Sequence, residues 1–197
     1  SVETADGVES IGALCTDLAG STYMVLTYSG QVVFGETTLE SAGYTDVAVG
    51  SYSNSEWNWA ISAGGSGEDR GWDCDQNFEY GVHVVGEFNG NASFGTFSTI
   101  QSDETDFFVA QVNPSGGWNS ILLGSGLGFD RATHITVSPQ GNTYIAGTTS
   151  AGIVLGNDTL PDLDGESNEQ YFDVFIGEIT PDLTWDWALG AGGAGND

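Results

Sequence analysis

The 197-residue chain contains no lysine, and its only arginines are Arg70 and Arg131. Against them stand 28 acidic residues, which leave a formal charge of −26. A surface so poor in positive charge repels nucleic-acid phosphates and anionic lipid head groups, so no nucleic-acid partner is expected. It suits a chain bathed in salt or divalent cations, because near 0.5 M ionic strength the Debye length falls to roughly 4 Å and self-repulsion is screened. The expected setting is extracellular or cell-surface, in saline or marine surroundings; the plainer reading is an ordinary acidic secreted protein.

Other absences narrow the field further. No apolar run approaches the ~20 residues needed to cross a bilayer as a helix, so membrane insertion is not expected. Helical periodicity of useful length is missing as well. The two cysteines, Cys15 and Cys74, are too few to impose a disulfide scaffold, and the residues alone leave open whether they pair or stay as buried thiols. The two histidines, His83 and His134, fall in different predicted strands, and neither G-x-S-x-G nor H-E-x-x-H occurs. No catalytic residue is assigned, and the chain is not read as an enzyme. A glycosidase-like carboxylate pair carries no weight in a chain with this many acids.

What the chain does have is a repeat. Asp173–Asp197, DVFIGEITPDLTWDWALGAGGAGND, has two near-copies upstream, in Asp46–Asp69 and Asp106–Asp130. In each, an Asp opens an alternating apolar run, a polar turn follows, a Trp heads a second run, and a Gly-rich loop closes on Asp. Trp57, Trp118 and Trp185 correspond, as do Gly65, Gly126 and Gly193, and the closing Asp69, Asp130 and Asp197. Phe34, Phe94 and Leu155 mark a further shared element at spacings of 60 and 61 residues. The extra length of the last copy falls in the acidic stretch Pro161–Tyr171.

Each unit is predicted to hold four antiparallel strands, bounded by Gly, Asn, Asp and Ser turns and rich in β-branched and aromatic residues. The clearest hairpin is His134–Ser150, two alternating runs around Pro139-Gln140-Gly141. The segment Gln31–Leu39 reads as a short extended piece bent at Gly35, and Ser1–Gly7 as a polar lead. The fold class is all-β: three tandem four-stranded antiparallel blade-like repeats, over residues 1–66, 67–127 and 128–197, in one continuous repeat domain. An isolated blade cannot bury both faces, so neighbouring blades supply its core, and the recurring Trp is expected to wedge between them.

The series W-x-W-A-x-x-A-G-G, then D, then I-T-V-S-x-x-G-N-T-Y-I-A-G-T, then F-G, then D-V-F-I resembles the SBBP-type β-propeller repeat of secreted and cell-surface bacterial and archaeal proteins. The resemblance is best over Gly128–Asp197 and weakest over Ser1–Gly30, and it implies architecture rather than activity. Closed propellers have four to eight blades. With three units, the chain is expected to be either part of a longer array or completed by its own copies, and a head-to-tail contact that does not close produces a filament.

Candidate binding residues lie in the acidic insert. Asp162, Asp164, Glu166, Asn168 and Glu169, with Gly165, offer the oxygens on a flexible loop that Ca²⁺ requires, though not at the spacing of the helix–loop–helix site. A solvated acidic loop is the other reading. Asp73, Asp75 and Asn77 form a weaker cation candidate along one strand edge, and Asp103, Glu104 and Asp106 a weaker one still. The closing Asp69 and Asp130, each followed by Arg, read as caps on turn N–H groups, paired with the neighbouring Arg or another loop; the functional alternative is a ring of ligands at the propeller's mouth. Asn91-Ala92-Ser93 and Asn157-Asp158-Thr159 are glycosylation sequons in matching places of two units.

The function expected from these features is that of an extracellular structural or interaction module. It acts in a surface array, adhesin or filament through blade-to-blade self-association. The alternative is a Ca²⁺-dependent module that binds carbohydrate or another ligand.

Overall fold

The computed structural model describes residues 2–4, 7, 9–77, 81–98, 102, 104–163 and 172–193. The described residues form strands and turns without a helix, in antiparallel sheets of which none is closed. In chain order the strands are β1 Val2–Thr4, β2 Glu9–Thr16, β3 Thr22–Tyr28, β4 Gln31–Phe34, β5 Thr37–Glu40, β6 Asp46–Ser53 and β7 Glu56–Gly65. They continue as β8 Arg70–Asn77, β9 Gly81–Asn89, β10 Ala92–Phe94, β11 Phe97–Ser98, β12 Thr105–Asn113 and β13 Gly117–Gly126. The last group is β14 Asp130–Val137, β15 Thr143–Thr149, β16 Ile153–Leu155, β17 Asp158–Leu160, β18 Asp173–Ile179 and β19 Trp185–Ala191.

Three ladders of the same order, β2-β3-β6-β7, β8-β9-β12-β13 and β14-β15-β18-β19, carry the copied sequence. They share two irregularities. The register skips one residue in the first strand, at Gly12, Trp72 and Thr133. It skips another just after the recurring Trp, at Asn58, Asn119 and Asp186. A β-bulge bends and twists its strand, so these repeated bulges give the three ladders a common local geometry.

The element around Phe34, read from sequence as a bend, is a hairpin in all three places: β4–β5, β10–β11 and β16–β17. Gly35, Gly95 and Gly156 sit in its turn at φ of 62°, 61° and 64°, a conformation that favours glycine. Each turn lies against the Trp of its own unit, Trp57, Trp118 or Trp185. The hairpin's hydrogen bonds go elsewhere. β10 extends the preceding ladder by pairing with β7, and β16 does the same with β13. On β4 the equivalent place is taken by β1, the segment read as a polar lead.

The ladders stack, with β8 packed against both β2 and β14. One apolar cluster lies between the first and second ladders, built on Val25, Val49, Val84, Phe94, Phe108 and Ala110. Another lies between the second and third, built on Val85, Phe107, Val109, Ile145, Leu155 and Phe175. The β4–β5 hairpin covers part of the outer face of the first ladder around Leu26, Tyr28 and Phe34. A Cys15–Cys74 disulfide, Cα–Cα 5.9 Å, ties β2 to β8. Trp118 donates its indole N–H to the Ser62 carbonyl at 3.0 Å, across the same boundary.

Candidate functional site

The register places equivalent side chains on one rung of each ladder. Val25, Val49 and Ile61 line up in the first, Val85, Val109 and Leu122 in the second, and Ala146, Ile176 and Leu189 in the third. Val47, Phe107 and Val174 occupy the neighbouring rung. In the first two ladders this face meets the next ladder: Val25, Val49, Val85 and Val109 are all 0% exposed. In the third, Val174, Ile176 and Leu189 are 37%, 45% and 62% exposed. With Ala146, Gly147 and His134 they line a shallow concavity of about 640 Å³.

The strand patterns record the same difference. All but the last residue of β9 is buried, as expected of a strand covered on both faces, whereas β15 alternates buried and half-buried along its whole length. The opposite end of the stack is also partly open. Ile11 is 68% and Leu14 62% exposed. Their counterparts in the second ladder, Gly71 and Cys74, are buried, as are Ala132 and Ile135 in the third. The two end faces are therefore the two halves of a contact made twice within the chain.

Between the ladders lie paired aspartates. Asp46, which opens β6, and Asp69, which precedes β8, are 3% and 1% exposed. A Cβ built on Gly64 would stand 2.6 Å from Asp46 Oδ1 and 2.9 Å from Asp69 Oδ2, so the two carboxylates meet over one glycine. Each caps a turn with one oxygen: the Ala42 N–H donates to Asp46 Oδ2 at 2.8 Å, and the Gly65 N–H to Asp69 Oδ2 at 2.7 Å. Capping is the role the sequence suggested for Asp69; for Asp46 it is a finding of the structure. Both Oδ1 atoms are buried without a hydrogen bond, as is the Thr45 hydroxyl.

The next boundary repeats the pairing. Asp130 is 0% exposed, with Asp106 beside it and Thr149 opposite it in the register as its side-chain hydrogen-bond partner, though at a geometry short of a well-aligned bond. Burial, reinforced by the neighbouring Asp46 or Asp106 charge, pushes the Asp69 and Asp130 carboxyls up to about 7. The arginines are engaged elsewhere. Arg131 Nε lies 2.9 Å from Glu87 Oε2, an ion pair not aligned as a hydrogen bond, and Arg70 pairs with Glu68 at 2.9 Å and with Glu87 at 3.8 Å.

The other sequence-predicted residues fall as follows. Asp162 is half-buried just after β17, while Asp164, Glu166, Asn168 and Glu169 lie outside the described residues, as does Asp103. Asn91 and Asn157 are exposed, beside or within the β10–β11 and β16–β17 hairpins. Asp73 and Asp75 satisfy a strand edge: the Ile135 N–H donates to Asp73 Oδ2 at 3.0 Å and the Val137 N–H to Asp75 Oδ2 at 2.7 Å. The histidines are far from forming a pair. His83 is fully buried with Nδ1 2.8 Å from Thr143 Oγ1, and His134 is exposed. Among the described residues no three His, Cys, Asp or Glu side chains gather around one point.

Sequence reasoning marked the opening and closing aspartates separately, and their meeting across a boundary was missed. The only signal in the chain is that both recur in the same two places of every unit. Compared with known proteins, the chain matches no family model and no curated protein.

Proposed function

We propose that this protein is an extracellular structural module of three β-propeller-type blades, akin to the SBBP-type repeat, that associates with its own copies head to tail in a surface array or filament. The observation that carries the proposal is the rung Val49, Val109 and Ile176: buried, buried and 45% exposed at equivalent places. An apolar sheet face that neighbours cover twice within the chain is suited to cover by a third neighbour of the same kind. The face of Ile11 and Leu14 offers that neighbour. Such a contact joins two different surfaces, so it propagates unless the rotation per copy closes a ring.

Charge sets the conditions. Two chains of formal charge −26 repel at low ionic strength, and at 1 M salt the Debye length is about 3 Å, so contact between apolar faces prevails. A bond between Cys15 and Cys74 fits an oxidising location, and the exposure of Asn91 and Asn157 fits sequons accessible to glycosylation. The test is light scattering and electron microscopy of the purified chain across concentration in high salt. Growing linear or ring-shaped oligomers are expected, and a chain that stays monomeric at high concentration in 1 M NaCl contradicts the proposal.

A further inference from the structure

We propose that the end of β19 is an acceptor for the β4–β5 hairpin of a second copy, which releases its own β1 to pair there. The inference rests on the head-to-tail association proposed above and names the backbone contact that sets its register.

Three observations carry it. The first is a join made twice inside the chain. The fourth strand of each of the first two ladders pairs at its end with the hairpin of the next unit. Gly65 stands opposite Ala92 and Gly64 opposite Ser93; then Gly126 stands opposite Ile153 and Ser125 opposite Val154. The corresponding residues of the last unit are Gly193 and Gly192, just after β19, and among the described residues no hairpin pairs with them.

The second observation is space. A Cβ on Gly65 would run into the Asn91 carbonyl oxygen, and one on Gly126 into that of Gly152, because the paired hairpin lies there. A Cβ on Gly193 would meet none of the described residues within 4 Å. A glycine that elsewhere admits a close backbone neighbour thus stands at β19 beside an unfilled place.

The third observation is the state of the donor. Val32 and Val33 of β4 match Ala92 and Ser93 of β10, and Ile153 and Val154 of β16. Their outer edge is held by β1, with Thr4 opposite Val32 and Glu3 opposite Val33. β1 runs antiparallel to β4, as β7 does to β10, so it stands in for the last strand of a preceding unit.

Donor and acceptor also lie on the faces that association brings together. The hairpin covers part of the outer face of the first ladder, on the side where Ile11 and Leu14 are exposed. The end of β19 borders the open face of the third, where Ala191 stands opposite Val174. One contact therefore buries the apolar faces and pairs Gly193 with Val32 and Gly192 with Val33 of the next copy. Strand addition of this kind replaces the main-chain hydrogen bonds that β4 gives up when β1 leaves.

The experiment compares whole chains by sedimentation velocity in 1 M NaCl and by urea unfolding at low salt. Gly193→Ala should keep the native urea midpoint and fail to assemble, since its methyl group occupies the place of the incoming strand. Gly65→Ala, the same change at a filled join, should lower the midpoint. Of two successive strand N–H groups one points to β4, so Glu3→Pro with Thr4→Pro removes it. That double variant should assemble at lower concentration than the native chain, because β1 no longer competes. A native chain that stays monomeric refutes self-association, and this pairing with it. Assembly that survives Gly193→Ala undiminished refutes the strand pairing alone and leaves association through the apolar faces. A Gly65→Ala chain of native stability, or a double proline variant that assembles no better than the native chain, also overturns the pairing.

Discussion

Truncating the same rung in two ladders separates a covered face from an open one. Val109 is 0% exposed between the second and third ladders, and Ile176, its counterpart, is 45% exposed. Val109→Ala deletes two buried carbons. At about 0.8 kcal/mol per buried CH₂, plus a cavity term because β9 and β14 cannot close the gap fully, the cost is about 2–3 kcal/mol. Ile176→Ala deletes three carbons, but only about half their surface is out of water and no cavity forms on an open face. Its cost in the separate chain is about 1 kcal/mol. The smaller side-chain deletion is therefore the more damaging. Urea unfolding of both variants in dilute, low-salt solution, where association is suppressed, reads the difference directly. Equal costs, or a larger cost for Ile176→Ala, would refute the assignment of Val109 to a covered boundary and of Ile176 to an open face.

Two further outcomes follow from buried groups. Burial drives the His83 imidazole down to about 4 from its ordinary 6.5, against the pull of the nearby Asp75 charge. The unfolded chain therefore takes up that proton first as pH falls. The stability held by neutral His83 is complete above about pH 6.5 and is lost toward pH 4, by up to about 3 kcal/mol. The raised Asp69 and Asp130 act in the opposite sense, so the measurement is the difference in pH dependence between the native chain and His83→Gln; coincident profiles would contradict it. Reduction of Cys15–Cys74 opens a cross-link between residues 59 apart, which in the loop-entropy account lowers stability by about 4 kcal/mol. Denaturant unfolding with and without reductant checks this, and unchanged midpoints would mean that the stacking of β2 on β8 alone fixes the ladders.

Much of the architecture is legible in the residues because the repeat is. Trp57, Trp118 and Trp185 head corresponding strands, and the spacing of the opening and closing aspartates sets the length of each unit. The hairpin around Pro139-Gln140-Gly141 is the plainest in the sequence for a physical reason. One face of β15 is free, so its side chains alternate, whereas β9 is covered on both faces and reads as a nearly unbroken buried run. What stayed hidden is pairing between units. Phe94-Gly95 marks a turn, but nothing local says that Ala92 and Ser93 hydrogen-bond with Gly65 and Gly64 of the preceding unit. For the same reason Val2–Thr4 reads as a polar lead, since a three-residue strand on β4 has no period to detect. The aspartate pairs were half legible. Capping by Asp69 follows from its place before Arg70 in a Gly-rich loop, but its approach to Asp46 is set by the stacking of two ladders.

The central claim is that the two end faces are complementary halves of one contact. Ile176→Asp blocks one half and leaves the Ile11 and Leu14 face intact; Leu14→Asp blocks the other. Sedimentation velocity in high salt should find each variant alone confined to monomer, because every contact needs one face of each kind. An equimolar mixture should form one-to-one dimers and nothing larger. A mixture that stays monomeric, or either variant that assembles alone as the native chain does, would contradict head-to-tail association.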